Sequence, residues 1–203
     1  VVVFDRQGGT YAARAWWMLR WMGHDAVALL DGGLDAWRAA GGTVTADPSL
    51  RTAAPPYPER AALESIVDAD ALQQALGRVR LIDARAGERF RGEVEPLDAA
   101  AGHIPGALNR FFKDNLAPDG RFKPAAALRA EFAPLLAHRP ATEIVHQCGS
   151  GVSACHNLLA MARAEAQEQS LRHEQLDLAE LVRDTVRDFV PKALELRIDL
   201  GYE

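Results

Sequence analysis

Cysteine is nearly absent from this chain of 203 residues: there are two, Cys148 and Cys155, seven positions apart. That scarcity excludes a disulfide framework, points to a reducing, cytoplasmic setting, and with no clustered histidines leaves no zinc site. No apolar run approaches the roughly 20 residues of a membrane span. Val1-Val2-Val3-Phe4 has no basic region before it and meets Asp5 at once, so it is not read as a signal peptide. Basic residues are not in excess: the net charge is -5, so neither nucleic acid nor an anionic membrane is expected as a partner. No cofactor is called for. Apolar content of 48% and charged content of 25% are ordinary for globular domains, and the length suits one large or two small ones.

What the chain does have is a cysteine in a telling place. Cys148 lies in His146-Gln147-Cys148-Gly149-Ser150-Gly151-Val152-Ser153-Ala154, between the apolar run Glu143-Ile144-Val145 and a helical pattern starting near Ala154. Two glycines let such a turn curl so that successive N–H groups converge on one point. A helix N-terminus adds its positive end and unpaired amides. This environment favours a thiolate and stabilises negative charge on what it attacks. The alternative is a buried structural cysteine, a common fate of that residue type. Ser150 and Ser153 would donate to a bound sulfur or oxyanion; they also suit loop-satisfying and helix-capping roles, Ser153 especially. Cys155 reads as a small packing residue, with a resolving thiol as the alternative.

Strands alternate with helices. Residues 1–4 and 27–30 read as strands, 10–22 and 34–40 as helices, which implies parallel pairing and an α/β architecture. Residues 43–60, with Pro48, Pro55, Pro56 and Pro58, read as a linker. A second unit follows: helix 69–76 behind the capping candidate Asp68, strand 79–82, a mostly irregular 92–109, a helical pattern over 125–136 interrupted by Pro134, and strand 143–146. The chain also repeats itself. Val2-Val3-Phe4-Asp5-Arg6-Gln7-Gly8-Gly9-Thr10-Tyr11-Ala12-Ala13 parallels the twelve residues from Ile144 to Cys155, with Arg6 standing where Cys148 stands. The first copy has the loop without the nucleophile.

The segment from Cys148 to Ala154 closely resembles the active-site loop of the rhodanese-like sulfurtransferases, in particular the tandem-domain mercaptopyruvate and thiosulfate types. Leu81-Ile82-Asp83-Ala84-Arg85, Arg89-Phe90-Arg91-Gly92 and Gly102-His103-Ile104-Pro105-Gly106-Ala107-Leu108-Asn109 resemble that family's second domain, in order. Val1 to Asp5, Trp16-Trp17-Met18-Leu19 and Leu30-Asp31-Gly32-Gly33-Leu34-Asp35-Ala36-Trp37 resemble the later half of its first. The resemblance implies rhodanese-like α/β domains, each a central parallel sheet flanked by helices. On this reading residues 1–45 are a partial non-catalytic domain, 46–62 a linker, 63–162 a catalytic domain without its last strand, and 163–203 a helical tail.

The resemblance further implies a sulfurtransferase that moves a sulfane sulfur from thiosulfate or 3-mercaptopyruvate, through a Cys148 persulfide, to cyanide or a thiol, a thioredoxin-like one included. Arg89 would bind the donor's anionic end, and Gly149, Ser150, Gly151, Val152 and Ser153 would cradle it. For Arg89 a surface salt bridge is the alternative. Gly149-Ser150 suits the mercaptopyruvate type, but Glu95-Pro96-Leu97 lacks that type's second arginine, so the donor is left open. Related cysteine phosphatases close a longer loop on an arginine; after Cys148 none occurs until Arg163, so phosphate chemistry is not expected. Asp83 and His103 are expected to secure a strand end and a turn.

After Met161 the repeat predicts another strand, and the sequence continues helical and charged instead. The tail from His173 to Leu200 resembles the junction between the dimerisation and ATP-binding domains of sensor histidine kinases. An amphipathic extension with Leu178, Leu181, Val182 and Phe189 at helical spacing is the alternative. With strands expected before Val1 and after Met161, the chain is read as a fused fragment that folds poorly and has little activity alone. Beside the sulfurtransferase stand two other readings, a non-catalytic sulfur-sensing module on kinase sequence and an incomplete product without function.

Overall fold

A computed structural model of the protein describes residues 1–46 and 56–165. The tail resembling a kinase, including His173 and the stripe from Leu178 to Phe189, lies outside the described residues, as does the middle of the linker.

Two short parallel sheets carry the described chain. Strand β1 (Val2–Val3) pairs with β2 (Ala28–Leu29), Val3 opposite Leu29. Strands β3 (Arg80–Asp83), β4 (Leu108–Asn109) and β5 (Ile144–Gln147) form the second sheet in the order β4-β3-β5. β3 is central, and Leu81, Ile82 and Asp83 are buried as expected of a strand covered on both faces. Among the described residues β5 pairs on one side only, with β3, Leu81 opposite Val145.

Among the described residues six α-helices flank the sheets: α1 (Thr10–Trp21), α2 (Gly33–Ala39), α3 (Ala69–Ala75), α4 (Gly87–Arg91), α5 (Ala125–Leu136) and α6 (Val152–Glu165). Helix α3 begins where a capping residue dictates: the Asp68 carboxylate accepts the Ala71 amide at 2.8 Å. Helix α5 differs from expectation. It runs through Pro134, because the proline sits in the final turn, where only one amide is lost before the left-handed Ala137 (φ 48°) ends the helix. Helix α6 starts at Val152, two residues earlier than the pattern suggested, and Ser153 is its second residue and not its cap. It continues to Glu165, the last described residue.

The core forms where α1 meets α6. Ala13, Trp16 and Trp17 of one helix and Cys155, Leu159, Ala160, Met161 and Ala164 of the other are buried in one apolar cluster with Phe122, Leu128 and Phe132. The small residues let the helix backbones approach while the tryptophans fill the flanks.

The repeat read in the sequence is a structural one. β1 leads through a six-residue turn into α1 and β5 through a four-residue turn into α6, and the aligned residues Thr10 and Val152 are the two helix starts. Gly9 (φ 86°) and Gly151 (φ 74°), also aligned, take the left-handed conformation just before each helix, where a side chain would strain the backbone.

Burial of histidine leaves a measurable mark. The ring nitrogens of His146, on β5, are buried without hydrogen-bond partners, and desolvation lowers its pKa to about 4. His156, on α6, is lowered too, mainly by burial. The unfolded chain takes up these protons near about pH 6.5 while the folded one does not, so the unfolded state holds more protons below that pH. Stability therefore falls as pH drops from about 6.5 toward 4, and His146 alone accounts for about 2 kcal/mol between pH 7 and 5. Urea midpoints at the two pH values will show that loss, and His146→Leu will reduce it; an unchanged pH dependence in the variant contradicts this assignment.

Candidate active site

The turn after β5 is built to hold an anion. Gly151 donates its amide to the Cys148 sulfur at 3.0 Å. Burial alone would push the thiol pKa up. The Ser153 hydroxyl and the amides of Ala154, Ser150 and Gly151 outweigh it and hold Cys148 below an ordinary thiol. The cysteine is half-buried and lines a cavity of about 500 Å³ with Arg14, Glu64, His146 and Cys155. Ser150 also lines it, Gly149 and Ser150 are exposed, and Val152 and Ser153 begin α6. The sequence-predicted residues 148–153 thus sit together, and the Ser153 hydroxyl is turned to the sulfur where a cap had been expected.

The first copy supplies an internal comparison. Its turn also gathers amides around an anion, but the anion is its own. Asp5 accepts the amides of Gln7 (2.7 Å) and Gly9 (2.9 Å) on Oδ1, and of Tyr11 (2.8 Å) and Ala12 (2.9 Å) on Oδ2. Burial works against the carboxylate, and the four amides still hold its pKa below the usual value. Arg6, in the place of the thiol, is exposed. One copy of the cradle is filled by a resident carboxylate; the other presents a sulfur.

Arg89 lies on α4, a helix too short to show a period in the sequence. Its Nη2 sits 2.6 Å from Glu95 Oε1 and 3.0 Å from Asp98 Oδ2. The pair with Arg89, joined by the amides of Asp98 and Leu97, lowers Glu95 to about 2. This cluster borders the turn: a Cβ on Gly149 would stand 3.8 Å from Arg89 Nη2 and 3.6 Å from Asp98 Oδ2. Arg85 extends it inward, bonding Asp83 at 2.8 Å, Glu95 at 3.3 Å and the Gly102 carbonyl at 2.6 Å. Asp83 is therefore a buried ion-pair partner, and His103 stacks on Phe90 with Nδ1 2.7 Å from the Phe90 carbonyl.

Three residues escaped the sequence reading: Asp98, Glu95 as an arginine partner, and Arg14. The last had a signal. In the aligned repeat Arg14 matches His156, each the fifth residue of its helix, and each crosses to the opposite turn: His156 Nε2 lies 2.9 Å from the Gly8 carbonyl, and Arg14 Nη1 lies 3.4 Å from the Gly151 carbonyl. Cys155 is buried, its Sγ 3.0 Å from the same carbonyl, and burial raises its pKa. The two thiols are thus set apart, one toward the thiolate and one toward the thiol. Among the described residues no group of histidine, cysteine and carboxylates could hold a metal ion, and no helix is long and apolar enough to cross a membrane.

Removing the Ser153 hydroxyl tests the cradle. Ser153→Ala will shift the pH profile of Cys148 alkylation to higher pH by up to about one unit, the scale of one hydrogen bond to a charged group. An unmoved profile contradicts a role for that hydroxyl.

Comparison with known proteins agrees with this geometry. The sequence model of the rhodanese-like domain matches residues 1–40 and 68–175. A protein of Pseudomonas aeruginosa described as a probable 3-mercaptopyruvate sulfurtransferase is 52% identical over 168 residues, covering 81% of this chain and 58% of that protein. The thiosulfate sulfurtransferase of Gallus gallus is 35% identical over 172 residues, covering 79% of this chain and 56% of its own. The crystal structure of SseA from Escherichia coli, described among 3-mercaptopyruvate sulfotransferases, superposes with a TM-score of 0.64 at 32% identity, over 80% of this chain and 61% of that one. The chain spans a little over half the length of the curated relatives it matches. With two matched stretches that include both turns, the chain belongs to the rhodanese-like domain family.

Proposed function

We propose that this chain carries the site of a sulfurtransferase, with Cys148 as its nucleophile. The observation that carries the reading is the sulfur held 3.0 Å from the Gly151 amide and kept below an ordinary thiol pKa by the turn around it. The names of the relatives support the reaction class and favour an enzyme over a non-catalytic sensing module.

In the first step the Cys148 thiolate attacks the sulfane sulfur of the donor. With thiosulfate the S–S bond breaks and sulfite leaves with the electron pair. With 3-mercaptopyruvate the C–S bond breaks and the enolate of pyruvate leaves and takes a proton. Either way the enzyme holds a Cys148 persulfide, whose terminal sulfur is anionic and lies where the amides of residues 149–154 converge. In the second step cyanide or an acceptor thiolate, a thioredoxin-like one among them, attacks that terminal sulfur. The S–S bond breaks, thiocyanate or an acceptor persulfide departs, and the Cys148 thiolate returns. No cofactor enters either step. A reduced thiol acceptor and two unpaired cysteines suit a cytoplasmic setting.

In this reading residues 63–162 are the catalytic part, and residues 1–45 are a non-catalytic copy whose turn is filled by Asp5. Arg89 binds the donor by exchanging the half-exposed Asp98 for the donor's anionic end, a guanidinium pairing well with carboxylate or sulfonate oxygens. Gly149, Ser150, Gly151, Val152 and Ser153 line the cradle.

Mass spectrometry after exposure to thiosulfate or 3-mercaptopyruvate will show the mass of one added sulfur on the peptide holding Cys148, removed by cyanide. Cys148→Ser will lose the label and reduce transfer by about 10³-fold or more, as loss of a nucleophile does. Sulfur retained by the serine variant, or no label on the wild type with either donor, contradicts the reading.

A further inference from the structure

Each turn is touched by the helix of the other copy, and the two contacts differ in charge. On the turn filled by Asp5 the visitor is His156, buried and kept toward its neutral form. On the turn with the thiol the visitor is Arg14, a permanent cation. Its Nη1 lies 3.4 Å from the Gly151 carbonyl and 3.8 Å from the Cys155 sulfur, and its guanidinium stands 4.7 Å from the centre of the Trp17 ring. Packing on the indole fixes the plane of the guanidinium.

Charge balance sets Arg14 apart from the other arginines near the site. Arg89 is matched by Glu95 and Asp98, and Arg85 by Asp83 and Glu95. In the cavity of about 500 Å³, Glu64 is paired with Arg20 at 2.6 Å, and His146 is held neutral by burial at ordinary pH. Arg14 is half-buried there, its contacts among the described residues being a carbonyl, a sulfur and a ring, none of them a carboxylate. The Gly151 peptide links it to the nucleophile: the amide of that residue binds the Cys148 sulfur and its carbonyl faces Arg14.

We propose that Arg14, as a second cation beside Arg89, recognises the anionic end of the molecule that Cys148 attacks, so that the copy without a thiol supplies substrate selection to the copy with one. The ligand class is a small anion carrying a carboxylate or sulfonate beside its electrophilic centre. The identity of the natural ligand as a sulfur donor rests on the sulfurtransferase reading; the selectivity for negative charge does not.

Two alkylating reagents of similar size separate the two ideas. Iodoacetate is an anion and iodoacetamide is neutral, and in both reactions the thiolate forms a C–S bond as iodide leaves. The thiolate fraction enters both rates equally, so the ratio of the two rates at Cys148, read by peptide mass, is insensitive to a change in the cysteine's own pKa. Arg14→Gln should lower the iodoacetate-to-iodoacetamide ratio by about tenfold, the scale of one lost charge-assisted contact, and Arg14→Lys should keep most of it. In the wild type, added salt should slow iodoacetate and leave iodoacetamide unchanged. This measurement and the lysine variant decide the matter even if the glutamine variant does not fold. A ratio unmoved in Arg14→Gln, lost in Arg14→Lys, indifferent to salt in the wild type, or collapsing only in Arg89→Gln overturns the proposal. If the expected ratios appear in a chain that forms no persulfide, the sulfurtransferase reading falls and Arg14 stands; an unmoved ratio in a chain that does form one removes Arg14 alone.

Discussion

Backbone amides converging on one anion at a strand-to-helix turn are the interaction on which the rest of this structure depends. A left-handed glycine before the helix aims the amides inward, and the first helical turn contributes N–H groups that have no partner within the helix. The protein builds this turn twice. In the first, the Asp5 carboxylate takes four amides. In the second, amides of Ser150, Gly151 and Ala154 act on a sulfur. The comparison is instructive because both turns belong to one chain. What the geometry stabilises is negative charge, and the identity of the residue there decides whether the turn is occupied or reactive.

Everything else positions the second turn. The β3–β5 pairing sets the strand that delivers Cys148, with Asp83 opposite Gln147. On one side Arg85 and Arg89 are tied to Asp83, Glu95 and Asp98, a network that borders Gly149. On the other, α1 packs on α6 and sends Arg14 to Gly151. The exchange between the copies is reciprocal, so the same packing that buries the tryptophans also holds both turns from outside. Ala13 and Ala160 are fully buried at this junction, and larger residues there would be felt at the turn as well as in the core.

Much of this was legible in the sequence because it is local. Alternating strands and helices gave the α/β class, Asp68 marked the start of α3, and the Cys-Gly-Ser-Gly turn between a strand and a helix marked the proposed nucleophile. The repeat was visible too, and it placed Thr10 and Val152 at equivalent helix starts. What stayed hidden depends on contacts across long separations or on short elements. Helix α4 is five residues long and β4 is two, below any readable period. Pro134 suggested an interruption, but a proline in the last turn ends a helix without breaking it. Ser153 read both as a donor to sulfur and as a cap; the helix begins at Val152, two residues before the pattern suggested, so Ser153 lies inside its first turn. Arg14 was passed over because nothing local distinguishes it: its meaning comes from Gly151, 137 residues away.

The most direct test is a titration of the thiols themselves. In a Cys155→Ser variant the thiolate absorbance of Cys148 should rise in a single step with its midpoint clearly below the about 8.5 of a free cysteine. A midpoint at or above that value would mean that the converging amides do not outweigh burial, and the account of the site would be wrong.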